Sequence, residues 1–413
     1  MKRQLLFLTG LFLAGCAREP LLPGIPRSER MPPTSVRPPE ADTTRHEPGR
    51  TGVYLTAVRF ADGYDWERDT SRAERQAFID VYRDGMRIRS FPAGESIEPD
   101  MHRMVGGHLY QDWSTDRETV VSRDGEELFR YPGREALRGF LVVDGRVHTL
   151  GQDRDGAGLC YRIDGQEIFR DAAGTVLGDP DAEGWPGGAL TLDGGEVCYS
   201  YSVPVNTGGT SRREYRIMQG ATRIATVQAG TFYELFDIRV LQGTLWRVEM
   251  RTSAGNTLSL VKGKDIYSLP LGAQEHPHLC RLMPWSDGML VKGYTSGPSW
   301  AYRYFVLDEK GTSLKTSAPG VSVVSLLSAD GHLAWLTGTG QGRVTALRKD
   351  APPQPGELPD GDYTLLSGRC ALLHEGVLYA ALTGCGGTVN RLIIDATATD
   401  FPFNGYFTSV SVQ

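Results

Sequence analysis

Val81-Tyr82-Arg83-Asp84-Gly85 returns as Val121-Ser122-Arg123-Asp124-Gly125, and again as Tyr161-Arg162-Ile163-Asp164-Gly165, at intervals of about 40 residues. Each copy reads as a short strand running into a tight turn. Each is followed by a second apolar stretch: Ile88, then Leu128-Phe129, then Ile168-Phe169. Asp-Gly between two such runs is a strong hairpin signal, because the favoured two-residue turns need positive φ at their central residues. Weaker copies turn at Gly220, Gly263 and Gly311, then near Asp350 and Asp395, which makes eight units. A second series of glycine-bearing turns interleaves with the first, at Gly107, Gly145, Gly194, Gly243, Gly288, Gly331 and Gly376.

Two hairpin turns in a period of about 45 residues mean four antiparallel strands per period, which is the blade of a β-propeller. The first unit lacks an innermost strand of its own ahead of Gly52. The C-terminal stretch Tyr406-Phe407-Thr408-Ser409-Val410-Ser411-Val412 is a strand without a local partner, so it is expected to complete that first blade. The fold expected is all-β: a β-propeller of eight four-stranded blades, closed by the C-terminal strand, with seven blades as the alternative. Helical periodicity is nearly absent; Thr70 to Ile79 is the only helical candidate. A β-sandwich is the competing architecture, but one period sustained over so long a chain argues against it. The Gly-His and Trp-Asp marks of WD40 repeats are missing. Ser328-Ala329-Asp330-Gly331 with Trp335 comes near the Asp-box of sialidase-like propellers, with its glycine one place early.

The N-terminus has a different character. Met1-Lys2-Arg3 is followed by an apolar run from Leu5 to Ala14. That run is shorter than the roughly 20 residues a membrane-spanning helix needs. A positive start, a short apolar stretch and small residues at its end form a secretory signal peptide. The end, Leu13-Ala14-Gly15-Cys16, resembles the lipobox of bacterial lipoproteins. That resemblance implies cleavage before Cys16 and acylation of its thiol, so the lipid bilayer becomes a partner. Three acyl chains hold firmly, since each buried methylene contributes about 0.8 kcal/mol. Ala17, where an Asp would favour retention at the inner membrane, leans toward the outer membrane and leaves the leaflet open. Residues 17–50 hold eight prolines and no Phe, Trp or Tyr. Such a segment cannot bury enough apolar surface to fold, and reads as a tether. The expected organisation is residues 1–15 as signal peptide, 16–50 as lipidated Cys and Pro-rich linker, and 51–413 as propeller.

The 413-residue chain carries a formal net charge of −6, and signal cleavage removes Lys2 and Arg3. An acidic chain argues against a nucleic-acid partner, which needs a basic face. Cys160, Cys198, Cys280, Cys370 and Cys385 match no zinc or redox spacing and are expected to be small buried residues, with Cys370 and Cys385 a candidate disulfide in an oxidising compartment.

With the two glycine-turn series on one face, the longer connections fall on the other, where recognition residues gather on a rigid scaffold. That face is expected to hold Trp66 and Trp113, Asp153 and Asp155, and Asn206. It also carries Asp179, Asp181, Glu183 and Trp185, then Tyr233 and Glu234. Rings beside carboxylates suit a glycan or peptide ligand, although Asp and Gly are equally ordinary turn formers. Asp153-Arg154-Asp155-Gly156 alternates carboxylates as a calcium loop does but lacks the remaining oxygen ligands. Glu275, His276, His278 and Cys280 are transition-metal ligand types close together, without a second cluster to complete a shell, so His276 and His278 are weak metal candidates. No nucleophile elbow and no phosphate loop occurs, and no cofactor is expected.

In signal, length and blade count the chain resembles the propeller lipoproteins of the outer-membrane barrel-assembly machine, without their recurring Asp-x-x-Thr-Gly-x-x-x-Trp turn. It is similar in layout to the propeller lipoproteins common in gut Bacteroidetes. That resemblance implies a lipid-anchored binding or scaffolding module of the cell envelope, with a glycan or an envelope protein as partner. The alternative is a polysaccharide-active lyase or glycoside hydrolase using carboxylates at the propeller face; the mechanism needs two carboxyl groups facing each other across a cleft.

Overall fold

The computed structural model describes residues 52–413, apart from 69–75, 94–96, 116, 134, 155–157, 178–186, 208–209, 229–233, 252–256, 270–275, 286–287, 297–301, 309–312, 318–320, 330, 340–342, 352–357, 359–360 and 386–388. Signal, lipobox and tether lie outside the described residues. No α-helix occurs among the described residues; of the helical candidate Thr70 to Ile79, residues 70–75 lie outside the described residues, and its last three belong to the strand Ala77–Arg83. Phe78, Ile79 and Val81 belong to a run of apolar and β-branched side chains that suits a pleated surface.

The strands form successive antiparallel units in chain order. The first joins Gly405–Val412 to Val53–Phe60, Ala77–Arg83 and Met86–Pro92. The second runs His102–Val105, His108–Ser114, Glu118–Arg123 and Glu126–Pro132. The third runs Glu135–Val143, Arg146–Asp153, Leu159–Ile163 and Gln166–Asp171. The fourth pairs Thr191–Asp193 with Glu196–Thr207, then Thr210–Gln219 and Thr222–Gln228, with Thr175–Val176 added against Glu196–Thr207. Next come Glu234–Leu241, Thr244–Arg251, Thr257–Lys262 and Asp265–Ser268, then His276–Trp285, Gly288–Ser296, Tyr302–Leu307 and Ser313–Thr316. The last two units begin at Ser322–Ala329 and Ala371–His374, and Tyr363–Thr364 bridges them by pairing with both Arg343–Lys349 and Val377–Gly384. At the turn expected near Asp350, that residue holds φ 54° at the end of Arg343–Lys349, and residues 352–357 and 359–360 beyond it lie outside the described residues.

The repeated Asp has a defined task. At Asp84-Gly85, Asp124-Gly125 and Asp164-Gly165 both residues hold positive φ, with 51° and 78° at the third. Each Asp carboxylate reaches back across its sheet to a backbone N–H: Asp84 to Val53, Asp124 to Leu109, Asp164 to Val147, and likewise Asp350 to Leu333 and Asp395 to Leu378, all at 2.8 to 3.0 Å. The apolar residue after each turn is placed unexpectedly. Ile88, Leu128, Ile168 and Ile224 are β-bulge residues of the fourth strands, and Leu128, Ile168 and Ile224 are exposed. A bulge on an edge strand blunts it against pairing with another chain.

The core sits between sheets. Trp246, Leu260, Leu282 and Phe305 join the fifth and sixth units, and Tyr161, Leu190, Tyr199 and Met218 join the third and fourth. Further clusters fill the other successive interfaces. One joins last to first: Leu55, Tyr82 and Phe407 pack with Cys370, Ala381 and Leu392. The strand Gly405–Val412 pairs antiparallel with Val53–Phe60 and also touches His102–Val105 and Ala371–His374.

Candidate functional site

In each unit one strand leads, contacting the neighbouring sheets, and most leading strands carry the same irregularity. The extra residue of a β-bulge is Thr408 in the first unit, Arg138 in the third, Phe236 in the fifth, Leu279-Cys280 in the sixth and Val324 in the seventh. A bulge leaves its residue unpaired with the adjacent strand and re-aims its side chain. All five lie toward the end of the strand that adjoins the longer connections.

Two of these bulge residues open onto one cavity. Arg138, Val176, Leu177, Leu235, Phe236, Asp237 and Arg281 line a space of about 270 Å³. Arg138 is held there by a close approach of backbones: Gly139 bridges to Gly188, and Ala189 N–H donates to the Arg138 carbonyl at 2.8 Å. A Cβ on Gly139 would lie 2.6 Å from the Leu190 side chain, so only glycine admits this contact. Arg281 follows the bulge in which Leu279 adopts φ 44°, a left-handed conformation that is uncommon for a residue with a Cβ. One Arg281 Nη1 donates to the carbonyls of Phe236, at 2.7 Å, and Cys280, at 3.1 Å.

Asp237 is buried and committed to the frame. Its Oδ1 accepts from Ile238 N–H at 2.8 Å and lies 3.3 Å from Arg239 Nε, and its Oδ2 accepts from Leu282 N–H at 3.0 Å. Arg239 in turn donates to the Gly188 carbonyl at 2.9 Å. Other interior carboxylates are held in the same way. Asp80 takes Arg59 Nε at 2.6 Å and Ser90 Oγ at 2.6 Å. Glu135 takes both nitrogens of Arg162 at 2.6 and 2.7 Å, Glu249 takes Arg247 at 2.6 Å, and Asp112 pairs with Arg103. Burial works against the Arg162 charge, yet its bond to Glu135 holds its pKa above the ordinary arginine value.

The residues singled out from sequence fall elsewhere. Cys16, Asp155, Asp179, Asp181, Glu183, Trp185 and Tyr233 lie outside the described residues. Trp66 is half-buried and packs edge-on against Tyr406, ring centroids 5.2 Å apart, next to Phe60 and Tyr64. It covers the junction of Val53–Phe60 with the C-terminal strand. Trp113 is not in a loop; it sits within His108–Ser114, in register with Val120. Asp153 ends its strand half-buried, its N–H donating to the Gly158 carbonyl at 2.8 Å. Glu234 is exposed at the start of the strand that carries Phe236. His276 is exposed, whereas His278 is half-buried, bonds Ser296 Oγ at 2.9 Å and stacks on Tyr294. Burial, and then the neighbouring His276, lower the His278 pKa. Among the described residues no three metal-ligand side chains converge.

Arg138, Phe236, Asp237 and Arg281 were not anticipated from sequence. For the two arginines the signal is a charge inside an otherwise apolar strand: Ala136-Leu137-Arg138-Gly139-Phe140 and Leu279-Cys280-Arg281-Leu282-Met283.

No family model matches the sequence, and no curated protein matches it. Among solved structures, BamB from Moraxella catarrhalis is similar at 9% identity over 84% of this chain and 98% of its own, with a TM-score of 0.41. A eukaryotic initiation factor is similar at 9% identity over 87% and 98%, TM-score 0.40. TolB from Acinetobacter baumannii is similar at 11% identity over 74% and 81%, TM-score 0.31.

Proposed function

We propose that this protein is an eight-bladed propeller lipoprotein of the bacterial cell envelope. In this reading it is anchored through acylated Cys16 and acts as a recognition scaffold through the face bearing its longer connections. Three features support the ring: successive sheets share a hydrophobic cluster, a further cluster joins last to first, and the C-terminal strand pairs with the first. The lipobox supports the anchor.

One observation favours recognition over catalysis. Asp80, Asp112, Glu135, Asp237 and Glu249 are each spent on an arginine or on backbone N–H groups. Glycoside hydrolysis needs one carboxyl as acid and another as base or nucleophile, facing each other. These five are structural counter-ions instead.

The experiment has two parts, both on the full chain in a bacterial host. Feeding an alkyne-bearing fatty acid should label the wild type and leave Cys16→Ser unlabelled. A photo-cross-linking amino acid placed at Glu234 or His276, both exposed at the start of a leading strand, should capture a discrete envelope protein, and the same residue at Gln242 or Glu375, in the turns of the opposite face, should not. Cross-linking equally from both faces, or from the turns alone, would overturn the assignment of the face.

A further inference from the structure

We propose that the cavity between Arg138 and Arg281 is a carboxylate-binding pocket, which seats an acidic group carried on a short apolar arm. This deepens the recognition reading above and rests on it for the face involved.

Charge selects the ligand. Among the described residues, three ionisable side chains line the space: Arg138, Arg281 and Asp237. The negative charge of Asp237 faces Arg239, and its two oxygens already accept the N–H groups of Ile238 and Leu282. Among the described residues no carboxylate pairs with Arg138 or Arg281. Arg281 uses one nitrogen on the Phe236 and Cys280 carbonyls, which fixes the side chain and leaves the rest of its guanidinium fork. Arginine forks match a carboxylate in two parallel, charge-assisted hydrogen bonds. Two half-buried guanidinium groups across a partly enclosed space form an anion site.

Size and lining narrow the class. The cavity measures about 270 Å³. That falls just below the range of about 300 to 1,000 Å³ used for whole small-molecule ligands. One acidic side chain or a small arylalkyl acid matches that size. Val176, Leu177, Leu235 and Phe236 supply apolar wall for the arm.

Backbone construction supports a built site. Arg138 and Phe236 are both bulge residues, and Arg281 directly follows a bulge. Three separate strands thus depart from regular pairing where they meet one cavity, and Leu279 holds a left-handed backbone at φ 44° beside it. Bulges concentrate beside functional sites because they re-aim side chains.

The test uses the full chain in detergent with three probes: hydrocinnamate, its uncharged amide, and the peptide acetyl-Leu-Glu-Leu-amide, followed by ligand-observed NMR. Hydrocinnamate should bind at least about tenfold more tightly than the amide, the loss expected when charge-assisted hydrogen bonds go. Arg138→Gln should weaken it by about tenfold, and Arg138→Lys should restore only part, since a point charge lacks the fork. Unchanged hydrogen exchange over Glu135–Val143 in the variants verifies that the strand still folds. Displacement of hydrocinnamate by the peptide identifies an acidic protein segment as occupant; binding without displacement identifies a free carboxylate. Equal binding of acid and amide, binding indifferent to Arg138→Gln, or no binding of either acid overturns the proposal. Such a failure would leave cross-linking from the loop face untouched, so the two readings fail separately.

Discussion

Replacing Glu135 by Gln should destabilise the third sheet more than most single changes could. Glu135 and Arg162 have side chains 6% and 3% exposed and meet in a two-bonded pair at 2.6 and 2.7 Å. Room for the carboxylate is made by Gly151, on the next strand, where a Cβ would collide with it. Breaking a buried pair leaves an uncompensated charge, at a cost of about 3 to 5 kcal/mol. The Tyr131 ring, 3.8 Å from the Arg162 guanidinium carbon, offsets part of this, since a desolvated cation–π contact is worth up to about 2 kcal/mol. Arg170, at 3.9 Å and half-exposed, adds little to the pair. The expected net loss for Glu135→Gln is about 3 kcal/mol, read from the urea midpoint and from faster hydrogen exchange over Glu135–Val143. Adding Arg162→Met removes the stranded charge, so the double variant should be more stable than Glu135→Gln alone. A Glu135→Gln loss under about 1 kcal/mol, or a double variant as unstable as the summed singles, would refute the view of this pair as a buried, mutually dependent unit. Gly151→Ala should act in the same direction by pushing the carboxylate off its arginine.

Three further outcomes follow from the frame. Phe407 is fully buried and touches Phe401 and Phe403 with ring centroids 5.4 Å apart; Phe407→Ala should lower stability by about 3 to 5 kcal/mol, measured by urea unfolding, and a loss under 1 kcal/mol would mean the C-terminal strand is not integral. Asp164 and Asp350 have pKa values held below the ordinary value, against the opposing effect of burial, by backbone bonds from Val147 and Leu333 and by Arg146 and His332; at Asp395 the Leu378 N–H is the leading cause. A depressed folded pKa contributes stability above the unfolded value of about 4 and loses it as pH falls through the folded value, so an Asp164→Asn, Asp350→Asn, Asp395→Asn variant should show a flatter loss of stability below pH 4 than the wild type. Burial raises the pKa of Cys160 to about 12 and of Cys198 to about 11, so a disulfide reagent at pH 8 should modify half-exposed Cys385 first and reach the buried thiols only in urea; prompt reaction of Cys160 would contradict its burial.

Much of the frame was legible in sequence because tight turns leave a chemical mark. Positive φ at consecutive residues selects Asp-Gly, so Asp84, Asp124 and Asp164 announced their hairpins, and period did the rest. The carboxylate bond from each Asp back to the second strand was not legible, since it depends on register. Tryptophans leave no such mark: a ring near a connection can be a platform or a cover, and Trp66 and Trp113 are both half-buried. Cys370 and Cys385, an option for a disulfide, instead point their thiols at the carbonyls of Phe407 and Thr383.

The cavity was missed because a β-bulge has no residue signature. Strand side chains alternate with period two, and a one-residue slip sends every later side chain to the opposite face. Along Glu135–Val143, strict alternation would give Leu137 and Gly139 one face and Arg138 the other throughout. The bulge at Arg138 resets that phase: Leu137 still faces the core, Phe140 does so as well, and Arg138 is freed from pairing. The same reset at Phe236 turns a strand whose later residues, Ile238 and Val240, are core into one whose start lines the cavity. A repeated frame therefore keeps its apolar period where the sheets pack, while bulges near one end of the leading strands vary what is offered there. A chemically ordinary Arg or Phe at that position comes to line the cavity only through the backbone around it, and period-two reading assigns it to the wrong face.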